Sequence, residues 1–166
     1  MTGKHVRRVA RAVPTGLFIM VVAGIAAAKD TKVGQAGVFA IVRIDDDKGK
    51  FDRCVAHLNA GPGMFRVAWN RDRIYTISVP SIPNPPSPLR LTLELPGGSV
   101  SEPAKVVGER TYAVFDGGTI ERLMGVRERI AMTLGTKRYE WTIGNTKMPQ
   151  VVAGIEACMD KAQPPR

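Results

Sequence analysis

Few side chains in this chain stand where covalent chemistry would need them. Of its two histidines, only His57 lies in the body of the sequence. A catalytic histidine acts on a nucleophile and is oriented by a carboxylate. No local pattern supplies either one, so His57 reads as a surface residue. Neither GxSxG nor HExxH occurs, so the common nucleophilic and zinc machineries have no motif here, and no metal or cofactor is expected. Asp45-Asp46-Asp47 gathers three carboxylates, but a calcium loop alternates its oxygen ligands and carries glycine at the sixth position. Here glycine is already fifth, at Gly49, so the run reads as a solvated hairpin turn. Acid–base work would require the fold to bring together a carboxylate pair such as Asp52 and Glu94.

Two further features could bind rather than react. Asp116-Gly117-Gly118-Thr119 opens a short helix, with Thr119 as the expected N-cap and Glu121 near the positive end of the dipole. A Gly-Gly pair ahead of a helix can cradle phosphate, but there is no lysine at P-loop spacing and no GxGxxG. Arginine is the stronger signal. The turn Asn70-Arg71-Asp72-Arg73 and the outward Arg66 place several guanidinium groups at one end of a hairpin, and Arg53 and Arg90 join them as a candidate anion or partner surface. A charged hairpin tip that keeps a sheet edge soluble would look the same.

The N-terminus differs in kind from the rest. Lys4, Arg7, Arg8 and Arg11 precede an apolar run from Gly16 to Ile25, and Ala26-Ala27-Ala28 offers a small-residue cleavage site before Lys29. Residues 1–28 therefore read as a secretory signal peptide; the apolar run is shorter than the ~20 residues of a bilayer span. Cleavage would take four of the 24 Lys and Arg and none of the 15 Asp and Glu, leaving a formal charge of +5 against +9 for the whole chain. Such a charge favours acidic partners and also serves simple solubility. No later apolar stretch is long enough to span a membrane, and no specific nucleic-acid motif is present. Cys54 and Cys158 are the only cysteines. In an exported chain they read as one disulfide, with a reduced pair or an intermolecular bridge as the alternatives.

These features must be positioned mostly by strands. Residues 29–36 are polar and read as a flexible lead-in, followed by one β-rich domain over 37–162 and a frayed tail at 163–166. Val38 to Ile44 is nearly continuously apolar. Phe51 to Asn59 alternates, with Cys54, Ala56 and Leu58 inward and Arg53, Val55 and His57 outward. Phe65, Val67 and Trp69 alternate, as do Tyr75, Ile77 and Val79, which predicts hairpins. Pro80 to Pro88 holds five prolines in nine residues and reads as a stiff connector between halves of the sheet. Leu89, Leu91, Leu93 and Leu95 share one face of the next strand. Lys105 to Phe115 holds another strand or two, with Gly108-Glu109-Arg110 as a turn. Ile130, Met132 and Leu134 form a last hairpin with Tyr139, Trp141 and Ile143. Pro149 suits a helix start, and Val151, Val152, Ile155, Cys158 and Met159 fall on one helical stripe.

The order of elements carries a resemblance. Cys54-Val55-Ala56 on an early strand, a run of hairpins, a short helix over Thr119 to Gly125, a final hairpin and a Gly144-Asn145 helix closing at Cys158 resemble small exported proteins of Gram-negative bacteria grouped with the invasion-associated locus B type. The chain departs from that pattern in its Pro80 to Pro88 insert and in lacking a tryptophan-to-cysteine motif on the early strand. The resemblance implies a periplasmic or secreted, non-enzymatic protein, and it transfers no catalytic residue.

The expected fold is α+β and mostly β: an antiparallel sheet or sandwich of hairpins with one short helix and a C-terminal helix packed on the sheet. The expected function is a non-catalytic, envelope-associated binding protein whose partner is an envelope or host protein or an anionic surface. A secreted inhibitor of a hydrolase such as lysozyme, presenting the loop at Asn70 to Arg73 or Pro80 to Pro88, and a polyanion-binding protein are the alternatives.

Overall fold

Alternating side chains in this sequence produce a sheet with one apolar and one polar face, and the apolar face closes on itself. The computed structural model describes residues 29–163. The stretch read as a signal peptide and the last three residues of the expected tail lie outside the described residues. Ten strands form one antiparallel sheet, with helices between the eighth and ninth strands and at the end: β1 (Lys29–Ala36), β2 (Phe39–Asp45), β3 (Phe51–Ala60), β4 (Gly63–Asn70), β5 (Tyr75–Pro80), β6 (Arg90–Leu95), β7 (Gly98–Val107), β8 (Arg110–Phe115), α1 (Gly117–Met124), β9 (Glu128–Leu134), β10 (Lys137–Gly144) and α2 (Met148–Ala162). Across the sheet they run β1-β2-β3-β4-β5-β8-β7-β6-β9-β10. The fold is α+β and mostly β.

Residues 29–36, expected as a flexible lead-in, form the edge strand β1 instead. They pair with β2 from Lys29↔Asp45 to Ala36↔Phe39, with a bulge between Lys32 and Gly34. Nothing in their side chains demands a strand. The free backbone groups of β2 do, and the lysines and the bulge then protect the exposed edge.

Two connections break the hairpin order. The Pro-rich segment carries the chain from β5 past β8 and β7 to β6. It is tied at both ends: Ser81 N–H donates to Glu109 O at 2.9 Å and Ala104 N–H donates to Leu89 O at 3.0 Å. Strand β7 joins the two halves. Gly98 to Pro103 pair with β6 and Ala104 to Val107 pair with β8, so the strand changes partner at Pro103, where one N–H is missing from the ladder.

The sheet curls until β10 meets β4 and β5. Trp141 Nε1–H donates to Gly63 O at 2.7 Å and Tyr139 O–H donates to Pro80 O at 2.9 Å. The Phe65 and Trp141 rings lie 5.2 Å apart. Enclosed between the halves are Phe39, Ile41, Phe65, Val67, Ile77, Leu91, Leu93, Met132, Trp141 and their neighbours, all buried. Each such side chain contributes about 1.5–3 kcal/mol before conformational entropy is charged against it.

Helix α2 fills what the two halves leave open. It buries Met148, Val151, Val152, Ile155, Cys158 and Met159, and Pro149 sits in its first turn as expected. Its approach to β2 is close, since a Cβ on Gly154 would stand 3.1 Å from the Ile41 side chain. The Cys54–Cys158 disulfide joins α2 to β3 with a Cα–Cα distance of 6.0 Å. The cysteines are therefore neither a reduced pair nor an intermolecular bridge.

Helix α1 corrects one sequence expectation. Asp116, not Thr119, is its N-cap: the Asp116 carboxylate accepts Thr119 N–H at 2.6 Å, while Thr119 is buried one turn in. Hydrogen bonding from the Thr119 side chain, and then from its N–H, holds Asp116 below the usual carboxylate range. A carboxylate thus occupies the position that a phosphate would need.

Candidate anion-binding face

Antiparallel pairing without bulges sets outward residues of neighbouring strands side by side, about 4.8 Å apart. On the outer face of β3, β4, β5, β8 and β7 this produces a row running His57↔Arg66, Arg66↔Ser78, Ser78↔Tyr112 and Tyr112↔Lys105. The neighbouring row is apolar at its start: Val42↔Val55, Val55↔Ala68 and Ala68↔Thr76. Beyond it lie Arg53 and Asn70, again directly opposed. On the other side of the cationic row sits Arg110, opposite Val107.

The long side chains of these rows stand around the short ones, and a depression of about 540 Å³ results. Val42, Val55 and Ala68 point outward as the alternation requires, yet they are only 6%, 2% and 7% exposed. Val55 and Ala68 form the apolar floor of the depression. Arg53, Arg66, Asn70, Thr76, Arg110 and Tyr112 are among the residues that line its walls.

Arg110 is fixed by neutral groups. Its Nη2 donates to Met64 O and to Ser78 O, each at 2.8 Å, and both Nε and Nη2 reach Ser78 Oγ at 3.2 and 3.0 Å. Arg66 lies beside it, and its Nε contacts Met64 Sδ at 2.9 Å. Neither makes an ion pair among the described residues. Burial, and then the neighbouring Arg66, push Arg110 down to about 10, so it remains a cation at neutral pH. Burial and Arg66 likewise hold His57 below its ordinary value, with Asp30 opposing them.

The opposite end of the depression is compensated. Arg53 bonds the adjacent Asp52 carboxylate at 2.6 Å. On the far half of the sheet Arg138 is matched too, holding Glu94 at 2.8 Å and Glu140 at 2.7 Å. The carboxylates considered for acid–base work, Asp52 and Glu94, are therefore each engaged by an arginine, on β3 and β6 respectively.

The five arginines singled out from sequence separate in space. Arg53 and Arg66 line the depression. Arg73 leaves it and lies over the Trp69 ring at 5.4 Å, on the face that also carries Phe65 and Val67. Arg71 is exposed at the same turn. Arg90 is on β6, where its Nε donates to Ser101 Oγ at 3.0 Å. Sequence reasoning missed Arg110, because Gly108-Glu109-Arg110 reads as a turn. The signal was nevertheless present: Thr111, Ala113 and Phe115 alternate inward, which puts Arg110 and Tyr112 outward together.

No helix among the described residues is long and apolar enough to cross a membrane. Neither a protein-family model, nor a curated protein, nor a solved structure matches the chain.

Proposed function

We propose that this is a non-catalytic binding protein, exported to the periplasm or secreted, that holds an anionic component of the cell envelope on the outer face of β3, β4, β5 and β8. The observation that carries the reading is the pairing of Arg66 and Arg110 at one depression, with no carboxylate bonded to either among the described residues. Two adjacent guanidinium groups repel each other, and an anion placed between them relieves the repulsion and makes charge-assisted hydrogen bonds. The disulfide agrees with an oxidising compartment. The resemblance to invasion-associated locus B-type proteins points to the same setting.

Retention of the purified, oxidised protein on a sulfated-polysaccharide column tests the reading. Elution should shift to lower salt in Arg66→Ala and stay unchanged in Arg71→Ala, because only Arg66 belongs to the depression. Equal elution of wild type and Arg66→Ala removes the proposed site. Binding that does not weaken between low and physiological salt removes its electrostatic basis.

A further inference from the structure

The depression is graded along its length, and the grading restricts what can fill it. At one end Arg66 and Arg110 present positive charge without a bonded carboxylate. In the middle, Thr76 stands beside the apolar floor of Val55 and Ala68, and Tyr112 lies on the wall. At the other end Asp52 and Arg53 already neutralise one another. A ligand that matches all three zones has one anionic group, then a body with both apolar and hydroxyl surface, and no second charge.

Each alternative class conflicts with one of these zones. A peptide that adds a strand or enters a nest of N–H groups needs free backbone partners. On this face the backbone groups are consumed in the ladders of β3, β4, β5 and β8, and only side chains are offered. An acyl chain would cover Thr76 and the Asn70 amide without giving them partners, which is costly for each group. A chain of phosphates would bring a second negative charge to Asp52, where Arg53 is already engaged.

A sugar acid meets none of these objections. Its ring has an apolar C–H face suited to the floor and to an aromatic wall, and a rim of hydroxyls that donate and accept. The available partners are Thr76 Oγ1, Asn70 Nδ2 and the hydroxyl of Tyr112. The Asn70 Oδ1 atom is already used by Asp72 N–H and Ile74 N–H, which fixes the side chain with its amide free. Ser78 Oγ accepts from Arg110, so its own proton is free to be donated. Arg110 has committed Nε and Nη2 to protein acceptors, and its Nη1 is left for the ligand. A volume of about 540 Å³ lies within the range of small-molecule sites.

Resting on the anion-binding reading above, we infer that this depression is a recognition site for a hexuronate, whose carboxylate lies between Arg66 and Arg110 and whose ring lies on Val55 and Ala68 beside Tyr112.

Titration of the oxidised protein with methyl glucuronide, methyl glucoside and inorganic phosphate, followed by NMR shifts, tests the inference. The glucuronide should bind at least tenfold more tightly than either of the others, which lack the carboxylate or the ring. Tyr112→Ala and Thr76→Val should each weaken it several-fold, and Arg71→Ala, outside the depression, should leave it unchanged. Arg66→Ala should weaken both glucuronide binding and retention on the sulfated-polysaccharide column. Equal affinity for glucuronide and glucoside, or for glucuronide and phosphate, overturns the inference, as does glucuronide affinity that is indifferent to both Tyr112→Ala and Thr76→Val. If column retention depends on Arg66 but no glucuronide binds, the anion face stands and the sugar assignment falls. Tenfold tighter binding of a trimer whose terminal unit is its one uronate would place the end of a polysaccharide in the site, and equal binding would place a free sugar acid there.

Discussion

Opening the Cys54–Cys158 bridge should cost this protein a large share of its stability and little of its native structure. The bridge closes a loop with a sequence separation of 104 residues. In the chain-entropy model, constraining a loop of about 100 residues disfavours the unfolded state by about 4.7 kcal/mol at 25 °C. A domain of this kind has a total stability of about 5–15 kcal/mol, so reduction should remove between a third and most of it. The native packing has other supports: Met148, Val151, Val152, Ile155 and Met159 of α2 are all within 3% of complete burial, and they hold the helix on the sheet without the bridge. Urea unfolding, followed by tryptophan fluorescence with and without reductant, measures the effect. The midpoint should fall, the slope should rise because the released chain exposes more surface, and near-UV circular dichroism in water should change little. The double variant Cys54→Ala/Cys158→Ala separates the cross-link from the chemistry of the reductant and should agree within about 1 kcal/mol. A loss below about 1 kcal/mol by both routes would refute the account, because the bridge would then not be what limits the unfolded chain.

Other expectations follow from single contacts. Gly37 has φ +57°, and a Cβ there would fall 2.2 Å from Thr146 Oγ1, the atom that accepts Val38 N–H. Gly37→Ala should therefore cost ~2 kcal/mol, from left-handed strain together with a disturbed hydrogen bond, read as a lowered midpoint in urea. Trp141→Phe leaves the Gly63 carbonyl without its 2.7 Å donor and should cost about 1–3 kcal/mol for that group alone, measured in the same way. His57 is held below its ordinary value of 6.5, by burial first and by Arg66, Arg110 and Lys32 against Asp30. Between that lowered value and 6.5 the unfolded chain binds more protons. The contribution of His57 is therefore complete above pH 6.5 and is lost as pH falls through the folded value. His57→Gln should flatten the urea midpoint across that window. The fall below pH 4.5 should remain, since it belongs to carboxyls such as Glu94, which Arg138 holds below the usual range.

Sheet face and core membership could be read from the chain because side-chain direction in a strand alternates with period two. Leu91 and Leu93, Ile130 to Leu134, and Tyr139 to Ile143 declare their inner faces without reference to anything distant. The helical stripe from Val151 to Met159 does the same at its own period. Residues 29–36 could not be read this way, because their extended form comes from the unpaired edge of β2 and not from their own side chains. Thr119 was misread as a cap because Asp116, three residues earlier, offers the better acceptor, and only the backbone path decides between them.

The candidate site lies further from the sequence. Composition alone established an excess of arginine and a single possible intrachain disulfide, and alternation pointed Arg53 and Arg66 to the solvent. It could not say that Arg73 would turn back over Trp69, nor that Arg90 would lie on the other half of the sheet. Strand order and register decided those points. They set β8 beside β5 across a connection that passes over two strands, and so placed Arg110 and Tyr112 next to Ser78 and Arg66, from 30 or more positions away. A local pattern reports which way a side chain points, and only the register of non-local pairs reports what it points beside.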